Sequence, residues 1–158
     1  MNLPIDTSVF PTGAPDIDYE EGDLGSLRIL AEEARLAVES FRWAPPIKDI
    51  VLAFGVAPIL GLFLVRFSAG ITSGEGQGDT ECWVVVGDVP AICFETDVAT
   101  PRDALKLYCA IAQDWADNVL AGASLADSYP IAAAANHEHA KMLLSRLEFI
   151  REKLMPLA

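Results

Sequence analysis

The chain is poor in the residues from which most catalytic and metal sites are built. Its 158 residues include two histidines and three cysteines. Cys82, Cys93 and Cys109 form no C-x-x-C pair and are odd in number. Neither zinc nor a disulfide framework fits them, and free buried thiols in a reducing cytoplasm are expected. His137 and His139 stand two apart on a predicted helix, where about 200° separates them, so they cannot hold one metal from one face. No positioned partner marks either as an acid or base. No catalytic residue, metal or cofactor is assigned from the sequence, which leans against an enzyme.

Positive charge is also scarce. Lys and Arg total 11 against 23 Asp and Glu, a net charge of −12. Nucleic-acid binding needs a basic footprint, which this composition does not provide. An anionic membrane surface is disfavoured for the same reason. The deficit is uneven. Residues 1–23 carry six acids and no base, and Glu75, Asp79, Glu81, Asp88, Glu95 and Asp97 fall between Arg66 and Arg102 with no base among them. Such a surface keeps a protein soluble, and it also permits a basic partner. The acidic N-terminal stretch has neither the basic flank nor the apolar segment of a signal peptide.

The longest charge-free run is Ile50 to Val65, 16 residues. A membrane-spanning helix needs about 20 apolar residues to cross roughly 30 Å. As a helix this run would cover only about 24 Å. Lys48, Asp49 and Arg66 bound it, and Pro58 interrupts it between Gly55 and Gly61. Ile47, Ile50, Val51 and Phe54 recur at helical spacing and predict a short helix. Ile59 to Phe67 then predicts a central strand covered on both faces. A soluble, cytoplasmic protein is the expectation.

Residues 1–22 predict an acidic irregular arm, with Pro4, Pro11, Pro15 and Gly13 as breakers. Residues 23–158 predict a single domain. A first helix is expected from about Leu24 to Trp43, its stripe made by Leu27, Leu30, Ala31, Ala34, Ala37, Val38 and Phe41. Arg28–Glu32 and Arg35–Glu39 are i, i+4 pairs on its other face. Gly70 to Asp79 predicts a flexible loop. Cys82–Val86 and Ala91–Thr96 predict a hairpin turning at Gly87-Asp88-Val89-Pro90, with Cys82 and Cys93 diagonal across it. Thr100-Pro101 opens another helix, with Leu105, Tyr108, Ile111, Ala112, Trp115 and Val119 inward and Gly122 as its stop. The last helix spans about His137 to Met155. The predicted fold is α+β, an antiparallel three-stranded meander flanked by four helices in the order α-α-β-β-β-α-α.

Other patterns carry little chemistry. Gly74-Glu75-Gly76-Gln77-Gly78-Asp79 leads into a strand, whereas a phosphate loop leads into a helix. Ser73 lacks the upstream glycine of a nucleophile elbow. Asp114 and Asp117 share a helix face but read as solvated. Trp83, Tyr108 and Trp115 are large amphipathic rings of the kind that fill cores or line pockets. A pocket, if formed, is expected where the hairpin meets the helix bearing Tyr108 and Trp115.

Three segments carry a resemblance. They are Trp83-Val-Val-Val-Gly87-Asp88-Val-Pro90, Ala104-Leu105-x-x-Tyr108-Cys109-x5-Trp115, and His139-Ala140-x-Met142-Leu143-x-x-Arg146-Leu147-x-Phe149-Ile150. Over roughly residues 43–156 the chain resembles a family of small uncharacterised bacterial proteins. The resemblance implies a bacterial, cytosolic, single-domain protein and assigns no activity. The functional expectation is therefore binding, first of a protein, in the manner of an immunity or inhibitor protein acting on a basic partner. The alternative is a small-ligand module or enzyme with a pocket between sheet and helices. Candidate binding residues are Glu75, Asp79, Glu81, Asp88, Trp83, Tyr108 and Trp115. A mean hydropathy of +0.31 despite 22% charged residues predicts a homodimer.

Overall fold

The apolar run folds back on itself as a β-hairpin. In a computed structural model, which describes residues 5–6, 21–41, 44–56, 59–68, 72–73, 76–77, 81–95, 100–126, 128, 131 and 133–158, β2 spans Ile47–Val56 and β3 spans Leu60–Phe67. They pair antiparallel, with Gly55 opposite Gly61 and Val56 opposite Leu60. The charges that bound the run in sequence meet in space: Arg66 and Asp49 are cross-strand partners, joined by two bonds of 2.5 and 2.6 Å. The short helix expected around Ile47–Phe54 is thus a strand.

A β-bulge explains how strand residues can mimic helical spacing. Leu52 pairs with Phe63 and Phe54 with Leu62, which leaves Ala53 as the extra residue. Ile50 and Leu52 point to one face of the sheet, whereas Ala53 and Phe54 both point to the other. The alternation of a strand therefore shifts by one residue at Ala53, and the pattern no longer reads with a period of two.

The remaining elements are β1 (Ile5–Asp6), α1 (Glu21–Glu39), β4 (Thr72–Ser73), β5 (Gly76–Gln77), β6 (Glu81–Gly87), β7 (Ile92–Glu95), α2 (Pro101–Ala121) and α3 (His137–Phe149). A π-helical turn (Ile150–Leu154) and a 3-10 turn (Met155–Leu157) extend α3. The main sheet runs β1-β2-β3-β6-β7, and its four longer strands are antiparallel. β1 joins β2 in parallel, so Ile5 and Asp6 of the expected irregular arm are tied to the sheet edge. β4 and β5 form a separate two-stranded ladder within the expected loop. The fold is α+β; among the described residues the main sheet has four antiparallel strands besides β1, and there are three α-helices, where three strands and four helices were expected. Reassigning Ile47–Val56 from helix to strand accounts for both differences.

The sheet lies between two helical layers. α1 covers one face with Leu27, Leu30, Ala31, Ala34 and Val38, packed on Ile50, Leu52, Phe63, Val65, Cys82 and Val84. α2 and α3 cover the other with Leu105, Tyr108, Ala112, Trp115, Leu143 and Leu147, packed on Phe54, Leu62, Trp83, Val85 and Phe94. β3, buried on both faces, is the central strand expected from Ile59–Phe67. Gly55 and Gly61 form a notch beneath α1. A Cβ on Gly55 would lie 2.4 Å from Leu27 Cδ2, and one on Gly61 would lie 2.5 Å from Phe63 Cε2 and 3.3 Å from Leu30 Cβ. The absence of side chains there lets helix and sheet approach closely.

On α1 the expected Arg28–Glu32 pair is replaced. Arg35 binds Glu32 through Nε at 2.9 Å and Glu39 through Nη1 at 2.6 Å, so one guanidinium takes both acids. α2 starts and stops where its sequence indicates. Thr100 Oγ1 accepts from the Asp103 N–H at 3.1 Å, and Gly122 closes the helix at φ 66°. Asn136 caps α3 by accepting from the His139 N–H at 2.8 Å. Among the described residues, no helix is long and apolar enough to cross a membrane.

Candidate functional site

The β6–β7 turn is pinned from three directions. Gly87 adopts φ 129°, a conformation essentially reserved for glycine, and a Cβ there would lie 2.3 Å from the Ile59 carbonyl oxygen. The same carbonyl accepts from the Asp88 N–H at 2.8 Å. From α2, the Tyr108 hydroxyl donates to the Pro90 carbonyl at 2.9 Å. From α3, Arg146 Nε donates to the Asp88 carbonyl at 3.2 Å and bridges its carboxylate at 2.8 Å.

A pocket of about 300 Å³ lies between this pinned turn, the C-terminal half of α2 and the start of α3. That volume is at the small end of ligand sites. Val89, Pro90, Trp115, Met142 and Leu143 give it apolar walls, while Asp88, His139 and Arg146 supply polar groups. Asp88 and Arg146 are partly open to solvent, and Met142 is 48% exposed.

Two residues of this wall carry hydrogen-bond donors that are unused. The ion pair and carbonyl contact of Arg146 both employ Nε, which leaves its two terminal nitrogens without a partner among the described residues. Trp115 is 3% exposed, and its indole N–H has no hydrogen bond among the described residues. No buried polar side-chain atom there lacks a partner, so this N–H retains access to solvent. An indole N–H buried without an acceptor costs roughly 1–3 kcal/mol, and contact with solvent avoids that.

The expected binding residues are dispersed. Asp88 and Trp115 line the pocket. Tyr108 is fully buried and reaches the turn only through its hydroxyl, and its pKa is pushed up by burial. Trp83 is buried in the core between sheet and helices. Glu81 begins β6 opposite Arg66, at the far end of that strand from the turn. Glu75 and Asp79 lie outside the described residues. Asp114 and Asp117 do not work as a pair: Asp114 accepts from Ser128 Oγ at 3.0 Å and Asp117 from Gln113 Nε2 at 2.9 Å.

The cysteines form no site of reactive thiols. Cys82 and Cys93 are buried diagonal neighbours facing α1, with sulfurs 2.9 Å apart. The contact with Cys93, together with burial, pushes the Cys82 thiol pKa up. Burial pushes Cys109 up to about 11, with nearby Arg151 pulling the other way. Among the described residues, no cluster of His, Cys, Asp or Glu is arranged to hold a metal ion.

The model of a family described as a domain of unknown function, DUF4826, matches residues 56–154. The chain belongs to this family. The DUF4826 segment begins at the end of β2 and takes in β3, the β6–β7 hairpin, α2 and α3. It contains every residue lining the pocket and leaves out α1. No curated protein matches the chain, and no solved structure matches it.

Sequence reasoning missed His139, Met142, Leu143 and Arg146 as pocket residues. A signal was present. Gly87, Asp88, Pro90, Trp115, His139, Met142, Leu143 and Arg146 all belong to the three segments that carry the family resemblance, and the fold brings those segments together around one cavity.

Proposed function

We propose that this DUF4826 protein is a small-ligand-binding module and that the pocket at the β6–β7 turn is its site. The reading rests on the unused donors of Trp115 and Arg146, two residues of a largely apolar wall. They call for a ligand with a carboxylate or carbonyl oxygen and a small apolar body. The oxygen takes the indole N–H and the Arg146 fork, and the body packs against Val89, Pro90, Met142 and Leu143. Asp88 fixes the guanidinium without occupying its terminal nitrogens, so the donor is oriented before the ligand arrives. His139 at the rim offers a further polar contact.

The reading as an acidic binder of a basic protein has weaker support. Of the acids behind it, Asp88 is engaged by Arg146, Glu81 stands opposite Arg66, and Glu75 and Asp79 lie outside the described residues.

Titration with benzoate and 4-methylvalerate, followed by ¹H–¹⁵N NMR, tests the site. The Trp115 indole N–H is expected to shift saturably, and benzylamine at the same concentrations is expected to leave it unmoved. Arg146→Gln is expected to weaken binding at least about tenfold with little change in melting temperature, since an exposed ion pair contributes about 0–1 kcal/mol to stability. Ala133 also lines the pocket, and Ala133→Leu, which fills it, is expected to abolish binding. Saturable shifts that map elsewhere, or binding unaffected by either variant, would refute the assignment.

A further inference from the structure

Three basic residues of this acidic chain meet at one cleft. Arg102 and Lys106 of α2 and Arg151 of the turn after α3 line a cleft of about 340 Å³, with Met155 and Pro156 completing its wall. Three of the chain's 11 basic residues therefore border one cleft of a molecule whose net charge is −12. Like charges brought together repel unless something neutralises them. The described partners do so poorly. Arg102 Nη2 donates to the Pro156 carbonyl at 3.3 Å. Arg151 donates to Gln113 Oε1 at 3.0 Å and to the Cys109 carbonyl at 3.5 Å. These acceptors are neutral, so they fix the guanidiniums in place and leave their charge uncompensated. Among the described residues, the one carboxylate within 4.0 Å of these cations is that of Asp103, 3.9 Å from Lys106 with both side chains largely exposed.

A helix favours acids at its N-terminus and bases at its C-terminus. α2 carries Arg102 beside Asp103 in its first turn, Lys106 in its second, and no base in its last turn, so the dipole gives no reason for the two bases to sit at this end. An anion in the cleft would give the observed arrangement a use.

We propose that this cleft binds a phosphate-type oxyanion carried by a small organic molecule. Arg102, Lys106 and Arg151 take the anion, and the organic part rests on Met155 and Pro156. Two guanidiniums and one ammonium suit a dianion better than a monoanion, and guanidinium forks match the oxygens of a phosphate. Met155 and Pro156 give the cleft an apolar flank, so a phosphate monoester with a compact apolar substituent suits it better than the free ion. The site is separate from the hairpin pocket and does not rest on the ligand proposed there. Lys106 and Trp115 are nine residues apart on α2, about 14 Å along its axis.

Inorganic phosphate and phenyl phosphate are the probes, titrated in chloride buffer and followed by ¹H–¹⁵N and methyl NMR. Saturable shifts are expected at Arg102, Lys106 and Arg151 for both, with the Met155 methyl moving only for phenyl phosphate and the tighter binding on that side. Higher ionic strength should weaken both. The double variant Arg102→Gln with Lys106→Gln changes only exposed side chains, so its melting temperature should hold while affinity falls at least about tenfold. Arg151→Lys, which keeps the charge and loses the fork, should fall less. Shifts that do not saturate, that spread evenly over the chain's other lysines and arginines, or that survive the double variant would overturn the proposal. So would saturable phosphate binding confined to Arg146, which would assign the anion to the hairpin pocket.

Discussion

Gly87→Ala is the sharpest test of how the β6–β7 turn is built. Three costs add. The residue sits at φ 129°, where a side chain costs about 1–3 kcal/mol. The new Cβ would lie 2.3 Å from the Ile59 carbonyl oxygen, 2.9 Å from its carbon and 3.0 Å from Leu60 Cα. All three are backbone atoms of the strand entry, so no rotamer change relieves the clash, and the turn must move away. That movement breaks the 2.8 Å bond from the Asp88 N–H to the same carbonyl, worth about 1 kcal/mol. The total is about 2–4 kcal/mol, below the 5–15 kcal/mol stability of an ordinary domain. The variant should therefore fold, with a melting temperature lower by about 4–16 °C. Gly122→Ala is the internal control. Gly122 also has positive φ, 66°, but no atom lies within 4 Å of its Cβ position. Its substitution should cost only about 1 kcal/mol. Urea denaturation followed by circular dichroism measures both. If the two variants match, or Gly87→Ala loses less than about 1.5 kcal/mol, the close approach of Gly87 to Ile59 is not a feature of the folded protein.

Tyr108→Phe should cost about 1–2 kcal/mol by urea denaturation, since it strips the Pro90 carbonyl of its 2.9 Å donor in a half-buried setting, and it should weaken benzoate binding by loosening the pocket wall. Gly61→Ala should destabilise more than a typical surface change, because the added methyl meets Leu30 Cβ at 3.3 Å as well as the Phe63 ring; a value inside ±0.5 kcal/mol on the same assay would show that α1 does not pack so closely. The three thiols should react with Ellman's reagent far more slowly at pH 8 in the native protein than in urea, because all are buried and the thiolates of Cys82 and Cys109 are disfavoured. Alkaline stability follows with a definite sign. Cys109 is raised from 9.0 to about 11, so the unfolded chain loses that proton first. Its contribution is complete below about pH 9 and is lost as pH rises from there through about 11, a trend to which Cys82 and Tyr108 add in the same direction. A urea midpoint that holds steady or rises from pH 8.5 to 10.5 would contradict it.

The helices with local start and stop chemistry were legible in the sequence. Thr100-Pro101 and Gly122 bound α2 because capping is a property of a few adjacent residues. The β6–β7 hairpin and the diagonal arrangement of Cys82 and Cys93 follow in the same way from Gly87–Pro90. Ile47–Val56 was not legible. Its bulge at Ala53 places Ala53 and Phe54 on one face, and that irregularity arises from pairing with β3. Pro58 lies outside the described residues, and the glycines read as breakers on either side of it belong to β2 and β3. Gly55 and Gly61 oppose each other and accommodate α1, a contact between segments some 30 residues apart. Spacing along one segment carries no trace of it.

The candidate site was legible only in its parts. Asp88, Trp115 and the meeting of hairpin and helix were in view, yet Arg146 was not, because its partner Asp88 is 58 residues away. Charge counting drew attention to the acids, which are abundant. The scarcer charges were the more informative ones. In a chain with a large acidic excess, a base has many acids available, and most of the described ion pairs use them: Arg35 with Glu32 and Glu39, Arg66 with Asp49, Arg146 with Asp88. Arg102 and Arg151 spend their donors on neutral oxygens instead. Acids are not in short supply, so this choice of partners cannot follow from composition. It requires that the fold hold those two guanidiniums at the cleft, beside Lys106, with charge still to be met.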